Sequence, residues 1–297
     1  MSLTLLAHVH DDGDILRAWL DHYLALGVSA FHLVVRGSTQ DNRELLELRS
    51  SYPIVIRDAY EDRFREREKT RRLNTLLAEL RGQWVLVVDT DEFLELPCAS
   101  LAETIAGLER FRATCLAAPL LQRLRIDGSL ASPAQLTDPF REFPLCSVDL
   151  YRAMGSTAAL AKYPLLRCEE TTVLRGGNHI VPNGPTSATA PFRGVSHHFK
   201  WRRWAPRRMH ELIDTRHPFW EESAAYVTYL ERTGFRLPLD DAFPYSREEL
   251  FRRGLLRKMS WHSPMTYRLR AWGAPFSASL ARWADTASRA LRRRSRP

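Results

Sequence analysis

The chain has 297 residues, a formal net charge of +8, 44% hydrophobic residues and 26% charged residues. This composition is typical of a globular protein with a large core, and no apolar run approaches the ~20 residues that a membrane-spanning helix needs. The N-terminal segment lacks the basic stretch of a signal peptide, so we expect a cytoplasmic protein, and the 4 scattered cysteines indicate neither a zinc site nor a redox motif.

The first hundred residues alternate between predicted strands and predicted helices. Strands are expected at 3–9, 28–35, 53–59 and 84–93, with helices at 14–27 and 43–51 and a long basic helix ending at Arg81. Apolar strands separated by helices predict a parallel α/β sheet that is covered on both faces. Ligands of such sheets bind at the carboxyl ends of the strands.

The segment VLVVDTDEFLELP at 85–97 places acids directly after an apolar strand. Asp89 and Asp91 would lie at the carboxyl end of that strand, where like charges repel unless a positive group stands between them. Mg²⁺ or Mn²⁺ would supply this charge and bridge the carboxylates to a substrate diphosphate. A solvated turn capped by the same acids is the alternative. The apolar FLELP favours the metal site, because it buries the base of the turn.

Arginine supplies most of the positive charge, which is concentrated at 61–72, at 199–210 and in the C-terminal tail. The guanidinium group pairs well with phosphate oxygens. A basic surface of this kind fits a nucleic acid, an anionic membrane or a phosphorylated substrate. Charge by itself leaves these partners open.

Several segments together carry a resemblance to a known family. WLDHYLALGV at 19–28, Asn74 in the third helix and WVLVVDTDEF at 84–93 occur in an order that resembles the family 2 type glycosyltransferases of the GT-A fold, in particular a bacterial branch with a D-x-D-E-F motif. SHHFKWRR at 196–203 and the helix after it are similar to a later H-F-K segment of that branch. The resemblance implies a Rossmann-like GT-A domain with a mostly parallel sheet over 1–203, and a helical extension over 204–297.

The resemblance also implies a reaction. A UDP- or GDP-sugar would donate its sugar to a glycan or lipid-linked acceptor, with inversion and with Mn²⁺ or Mg²⁺ as cofactor. The metal ligands would be Asp89, Asp91 and His198, and Asp91 would also act in catalysis. Asp149 and Glu170 lie in the half of the chain where such an enzyme places its general base. Their spacing does not choose between them.

Residues from the first, third and fourth strands and from the basic helix are expected to bind the donor. These residues are His8, Asp58, Lys69, Arg72 and Asp89. Asp58 ends a strand where an acid can accept a hydrogen bond from the base or the ribose, and Lys69 and Arg72 share one face of the helix. A packed role stays open for His8, and a run of charges such as this helix is usually a solvated face.

Two further segments bear on the acceptor. His179, in GGNHIVPNG, is expected in a loop on the acceptor side. The tail SASLARWADTASRALRRRSRP at 277–297 can form a helix with an apolar face among arginines. Such a helix fits a peripheral contact at the inner face of the cell membrane, and a disordered solubilising end is equally open.

The two adjacent histidines of SHHFKWRR allow a sharper prediction. If this segment is extended, His197 and His198 point to opposite sides, so only one of them can face the acids, and we predict His198. Two other functions stay open. A nucleotidyltransferase would use the same acids at a strand end, whereas a nucleic-acid-binding protein would explain the charge but not the acids. No specific nucleic acid is expected as a partner.

Overall fold

Strands and helices alternate along the chain. The computed structural model describes residues 3–38, 42–62, 65–156, 161–170, 172–175, 192–217 and 219–257. The strands in this part are β1 (Thr4–Val9), β2 (Ala30–Arg36), β3 (Ile54–Tyr60), β4 (Trp84–Val87), β5 (Glu92–Glu95), β6 (Cys115–Leu124), β7 (Leu145–Ser147), β8 (Ala161–Arg167), β9 (Val195–His198) and β10 (Phe243–Pro244). The helices are α1 (Gly13–Ala25), α2 (Arg43–Leu48), α3 (Glu66–Glu79), α4 (Leu101–Arg110), α5 (Pro139–Glu142), α6 (Leu150–Ala153), α7 (Ala205–Asp214), α8 (Trp220–Arg232) and α9 (Arg247–Arg252).

The first four strands form a parallel sheet in the order β3-β2-β1-β4. All six residues of β1 are buried, as expected for a strand covered on both faces. Beyond β4 the sheet continues through β8, β6, β7 and β10, and each of these strands is antiparallel to the one before it in this order. The predicted α/β class with a parallel central sheet flanked by helices is confirmed, and the first three strands and helices end within three residues of their predicted bounds.

The prediction of one continuous strand over 84–93 is wrong. β4 ends at Val87 and β5 begins at Glu92, because the two strands have different partners. β4 lies between β1 and β8, whereas β5 pairs with β9. The Glu92 amide donates to the Asp89 carbonyl at 3.1 Å and closes a turn between them. The acids therefore lie in a turn that links the two strands, from Asp89 to Glu92, where their side chains can face the edge of the sheet. We refer to these residues as the acidic turn.

The predicted boundary between residues 203 and 204 does not separate two units. α7 and α8 share a hydrophobic cluster with β6, in which Met209 and Tyr226 accompany Leu120 and Leu124. Residues up to 257 belong to one compact unit. The second unit, 260–297, lies outside the described residues, as do the predicted tail helix and His179. Within the described ranges, each helix is too short or too polar to cross a bilayer.

A buried ionic network joins the loop after β1 to the segment after β9. The Arg202 side chain is 2% exposed, and its Nη2 lies 2.9 Å from an Asp12 oxygen while its Nη1 pairs with Asp14. Arg208 Nη2 reaches the same Asp12 oxygen at 2.5 Å. Burial alone would raise the pKa of Asp12, but the charges of Arg208 and Arg202 lower it. The network therefore fixes two distant segments beside the acidic turn.

We expect Arg202→Met to lower the free energy of unfolding by about 3 to 5 kcal/mol, because it leaves the buried Asp14 carboxylate without its ion-pair partner and removes one of the two arginines of Asp12. Urea denaturation of the full chain measures this change. Arg203→Met is the matched control, since the neighbouring Arg203 is exposed, and surface substitutions cost within about 0.5 kcal/mol. Equal losses in the two variants would contradict a structural role for the network.

Candidate active site

The residues predicted to bind a donor meet at the carboxyl edge of the parallel sheet. They are His8 in β1, Asp58 in β3, Lys69 and Arg72 in α3, and Asp89 after β4. Tyr60 contacts two residues of this set, His8 and Arg72. Its hydroxyl pairs with His8 Nε2 at 2.9 Å, and the centre of its ring lies 4.2 Å from the Arg72 guanidinium carbon. Arg72 in turn pairs with Asp58. Burial, and then the charge of Lys69, lower the pKa of His8 to about 3, so its imidazole is neutral at neutral pH.

The helix α3 brings Lys69 to this edge. Lys69 belongs to the stripe of α3 residues that is buried against the sheet, together with Leu73, Leu76 and Leu77. These positions recur at the spacing of one helical face. The Lys69 side chain reaches past the apolar stripe, and its Nζ lies 2.7 Å from Asp89 Oδ1. A charged residue in the buried stripe thus has its partner in the acidic turn.

Lys162, at the start of β8, lies between two acids of the turn. Its Nζ is 2.7 Å from Asp89 Oδ2 and 2.7 Å from Glu92 Oε1. Burial alone would raise the pKa of Asp89, but Lys162 and Lys69 hold it well below its usual range. Burial raises the pKa of Glu92, whose side chain is 1% exposed, even beside Lys162. Two ammonium groups therefore neutralise the acids closest to the strand.

Asp91 faces a different partner. β5 and β9 are antiparallel with Glu92 opposite His198, and this register places His198 Nε2 3.4 Å from Asp91 Oδ2. The other ring nitrogen, Nδ1, pairs with the Tyr151 hydroxyl at 3.2 Å. His197 points to the opposite side, where its Nε2 lies 2.9 Å from Glu95 Oε2. Burial lowers the pKa of His197 to about 4. The prediction that His198 and not His197 faces the acids agrees with these contacts.

The predicted set of three metal ligands does not form. In the described part of the chain, no three His, Cys, Asp or Glu side chains come together closely enough to hold a metal ion. Asp89 is the predicted ligand that does not join the other two, because both of its carboxylate oxygens accept hydrogen bonds from lysines. Asp91 and His198 do fit a divalent cation. If Tyr151 accepts from Nδ1–H, Nε2 directs a lone pair at a carboxylate, which requires a proton or a cation between them.

Three contacts hold the backbone of the acidic turn. The Trp19 indole donates to the Asp89 carbonyl at 3.1 Å, and the Phe199 amide donates to the Asp91 carbonyl at 2.8 Å. Between these two positions the Thr90 hydroxyl donates to the buried carboxylate of Asp12. These hydrogen bonds, all within the chain, fix the position of the turn.

Glu170 is not near the other predicted catalytic residues. β8 is antiparallel to β4, and its register pairs Arg167 with Trp84 at the start of β4. Glu170 follows β8 and is exposed at the opposite edge of the sheet, roughly 16 Å along the strand direction from Asp89 at ~3.3 Å per residue. Asp149 is half-exposed at the start of α6, 3.7 Å from Arg152, and is two residues from Tyr151. Only Asp149 therefore stays close to the site.

Sequence reasoning missed the residues that neutralise and orient the acids. These are Lys162, Tyr151, Arg202 and Arg208. Lys162 could have been found, because it is one of few lysines in the chain and stands in an apolar strand, AKYPLLR. A charge in such a strand needs a buried partner. No comparable signal distinguishes Tyr151 from other aromatic residues.

A scan against family models finds no match to this chain, and a search of curated proteins finds none either. Among solved structures, S. aureus TarS 1-349 aligns over 78% of this chain and 71% of that chain with 12% identity and a TM-score of 0.35. The same protein in complex with UDP-GlcNAc aligns over 42% of this chain and 35% of that one, with 14% identity and a TM-score of 0.30. A 4-diphosphocytidyl-2C-methyl-D-erythritol synthase aligns over 57% of this chain and 75% of that chain, with 18% identity and a TM-score of 0.29. The alignment with a further S. aureus TarS structure covers 22% of that chain.

We expect Lys162→Met to lower the free energy of unfolding by about 3 kcal/mol at neutral pH, because it leaves the buried Glu92 charge unpaired. The pKa of Glu92, already raised, rises further in this variant. A carboxyl whose pKa is higher in the folded than in the unfolded state stabilises the fold at a pH below the unfolded pKa of ~4.3. This stabilisation is lost as the pH rises through the folded pKa. The penalty should therefore shrink as the pH falls from about 8 to about 5, measured by urea denaturation.

The same experiment in a Glu92→Gln background provides the control. Without the Glu92 charge, the Lys162→Met penalty at neutral pH should decrease, since the two residues are in contact and their effects do not add. A penalty that is independent of both pH and the Glu92 substitution would show that Lys162 acts through packing instead.

Proposed function

We propose that this protein is a glycosyltransferase that uses a UDP- or GDP-sugar and a divalent cation. The observation that carries the proposal is the Asp91–His198 pair, which lies at the carboxyl edge of the parallel sheet beside the Asp89–Lys69–Lys162 cluster. A carboxylate and an imidazole that can hold a cation between them, next to ammonium groups, suit a diphosphate. This edge is also where ligands of open α/β sheets bind.

The chain's own cations suit the leaving group of such a reaction. As the bond between the sugar and the diphosphate breaks, negative charge develops on the phosphate oxygens. Lys69 pairs with Asp89 alone among the described residues, so its ammonium keeps donors for a phosphate. Mn²⁺ or Mg²⁺ held by Asp91 and His198 would add positive charge at the same diphosphate.

The nucleoside would extend along the edge toward β1 and β3. Asp58, held by Arg72, presents a carboxylate for the base or ribose, and the neutral His8 contributes an uncharged imidazole near it. Asp149 is the proposed general base, because α6 places it close to Tyr151 and because inversion requires a carboxylate that accepts the acceptor's proton. A glycan or a lipid-linked molecule is the proposed acceptor.

A nucleotidyltransferase is the second candidate, since the Lys69 and Lys162 ammonium groups would bind the phosphates of a nucleoside triphosphate equally well. Hydrolysis assays separate the two functions. We expect slow release of UDP or GDP from the corresponding sugar nucleotide in the presence of manganese, with no turnover of nucleoside triphosphates. The reverse pattern would favour nucleotidyl transfer.

We expect His198→Ala and Asp91→Asn each to weaken manganese-dependent binding of UDP or GDP by at least about 10-fold, since each removes a ligand of the cation. Calorimetric titration of the full chain measures this affinity. Glu170→Gln is the matched control, because this acid is exposed at the opposite edge of the sheet. Unchanged affinity in both site variants, or an equal loss in the control, would contradict the proposed cation site.

A further inference from the structure

Lys200 is a cation enclosed by aromatic rings. Its Nζ lies 4.8 Å from the centre of the Tyr226 ring, 5.2 Å from that of Tyr151 and 5.3 Å from that of Trp201. The rings come from α8, from α6 and from the segment after β9. Aromatic faces attract an ammonium group, but they do not accept its hydrogen bonds as oxygen atoms do.

Other contacts keep the rings in place. The Trp201 indole donates to Gln122 Oε1 at 3.0 Å, and the Tyr226 hydroxyl donates to Glu222. The Tyr151 and Tyr226 rings are stacked with their centres 5.6 Å apart. The enclosure around Lys200 is therefore built by groups that have their own partners, and it does not depend on the lysine to hold it together.

Tyr151 also places Lys200 beside the proposed cation site. Its hydroxyl pairs with His198 Nδ1 at 3.2 Å, while its ring borders the Lys200 ammonium. Glu222 and Asp91 are the carboxylates whose charges reach this ammonium. Throughout the described ranges, the Lys200 side chain forms no ion pair or hydrogen bond with either of them. Among the residues that the structure describes, no oxygen atom accepts a hydrogen bond from this ammonium, which lies next to a pair of residues that is proposed to hold a diphosphate.

We propose that Lys200 binds a phosphate oxygen of the donor's diphosphate and is a substrate-binding residue of this site. The inference rests on the proposed function and names a further contact of the same ligand. An ammonium between aromatic faces is poorly hydrated, so its hydrogen bond to a charged oxygen is stronger than the one that a solvated lysine would form. A phosphate group supplies such oxygens, and the Asp91–His198 pair is where the proposed cation would hold it.

Calorimetric titration of the full chain with inorganic pyrophosphate, in buffer containing manganese, tests this inference. We expect Lys200→Met to weaken pyrophosphate binding by about 10-fold, as the loss of one charge-assisted hydrogen bond implies. Arg203→Met is the matched control, because Arg203 also stacks on an aromatic ring, 4.4 Å from the centre of Trp204, but is exposed. The inference is overturned if wild-type protein does not bind pyrophosphate or if Lys200→Met binds it as the wild type does.

A measurement on wild-type protein keeps the test valid should Lys200→Met fail to fold. Acetylation of lysines by acetic anhydride, followed by mass spectrometry of the peptide that contains Lys200, reports whether its amine is accessible. At a pyrophosphate concentration about ten times its dissociation constant, acetylation of Lys200 should slow by about 10-fold, because about nine sites in ten are then occupied. Equal acetylation with and without pyrophosphate would rule out direct contact.

Parallel titrations with UDP and GDP separate the two proposals. If wild-type protein binds pyrophosphate through Lys200 but binds neither nucleotide, the proposed function fails and the phosphate contact stands. If a nucleotide binds to wild type and to Lys200→Met with equal affinity, the proposed function stands and the role of Lys200 is overturned.

Discussion

The ammonium group of Lys162 between Asp89 and Glu92 is the interaction on which the acidic turn depends. Without it, two carboxylates would face each other at the end of a buried strand, in a medium where burial already disfavours their charge. The geometry of β8 makes the interaction possible. Because β8 is antiparallel to β4, its first residues lie beside the last residues of β4, and a lysine near its start reaches the turn.

The cations that neutralise this turn and the adjoining Asp12 come from distant parts of the chain. Lys69 comes from α3, Lys162 from β8, and Arg202 and Arg208 from the segment after β9. The site is therefore complete only when the second half of the chain has packed against the first. The ion pairs are partly or fully buried, so breaking one leaves its partner charged and unpaired. The geometry at the acids therefore depends on how the two halves of the chain pack against each other.

The sequence predicted those features that depend on local pattern. Continuous apolar runs predicted the parallel strands, and alternation along an extended segment predicted that His197 and His198 face opposite sides. It did not predict the break between β4 and β5, because apolar segments typical of strands, VLVV at 85–88 and FLEL at 93–96, stand on both sides of the acids. It also misplaced Glu170, since the direction of β8 follows from its pairing with β4, which no local pattern encodes. For the same reason, the partner of Lys162 could not be read from its neighbours.

The two aspartates of the D-x-D segment have different chemical environments, although the motif presents them as equivalent. Both oxygens of Asp89 accept from lysines, so this acid positions cations and has little capacity left for a metal. Asp91 instead faces an imidazole whose other nitrogen is already paired with Tyr151. Among the described residues, no ammonium group lies within ion-pair reach of Asp91, whereas a divalent cation at Asp89 would have to displace two. Under the proposed function, this difference in local charge favours the second aspartate as the cation ligand and the lysines of the first as the partners of phosphate oxygens.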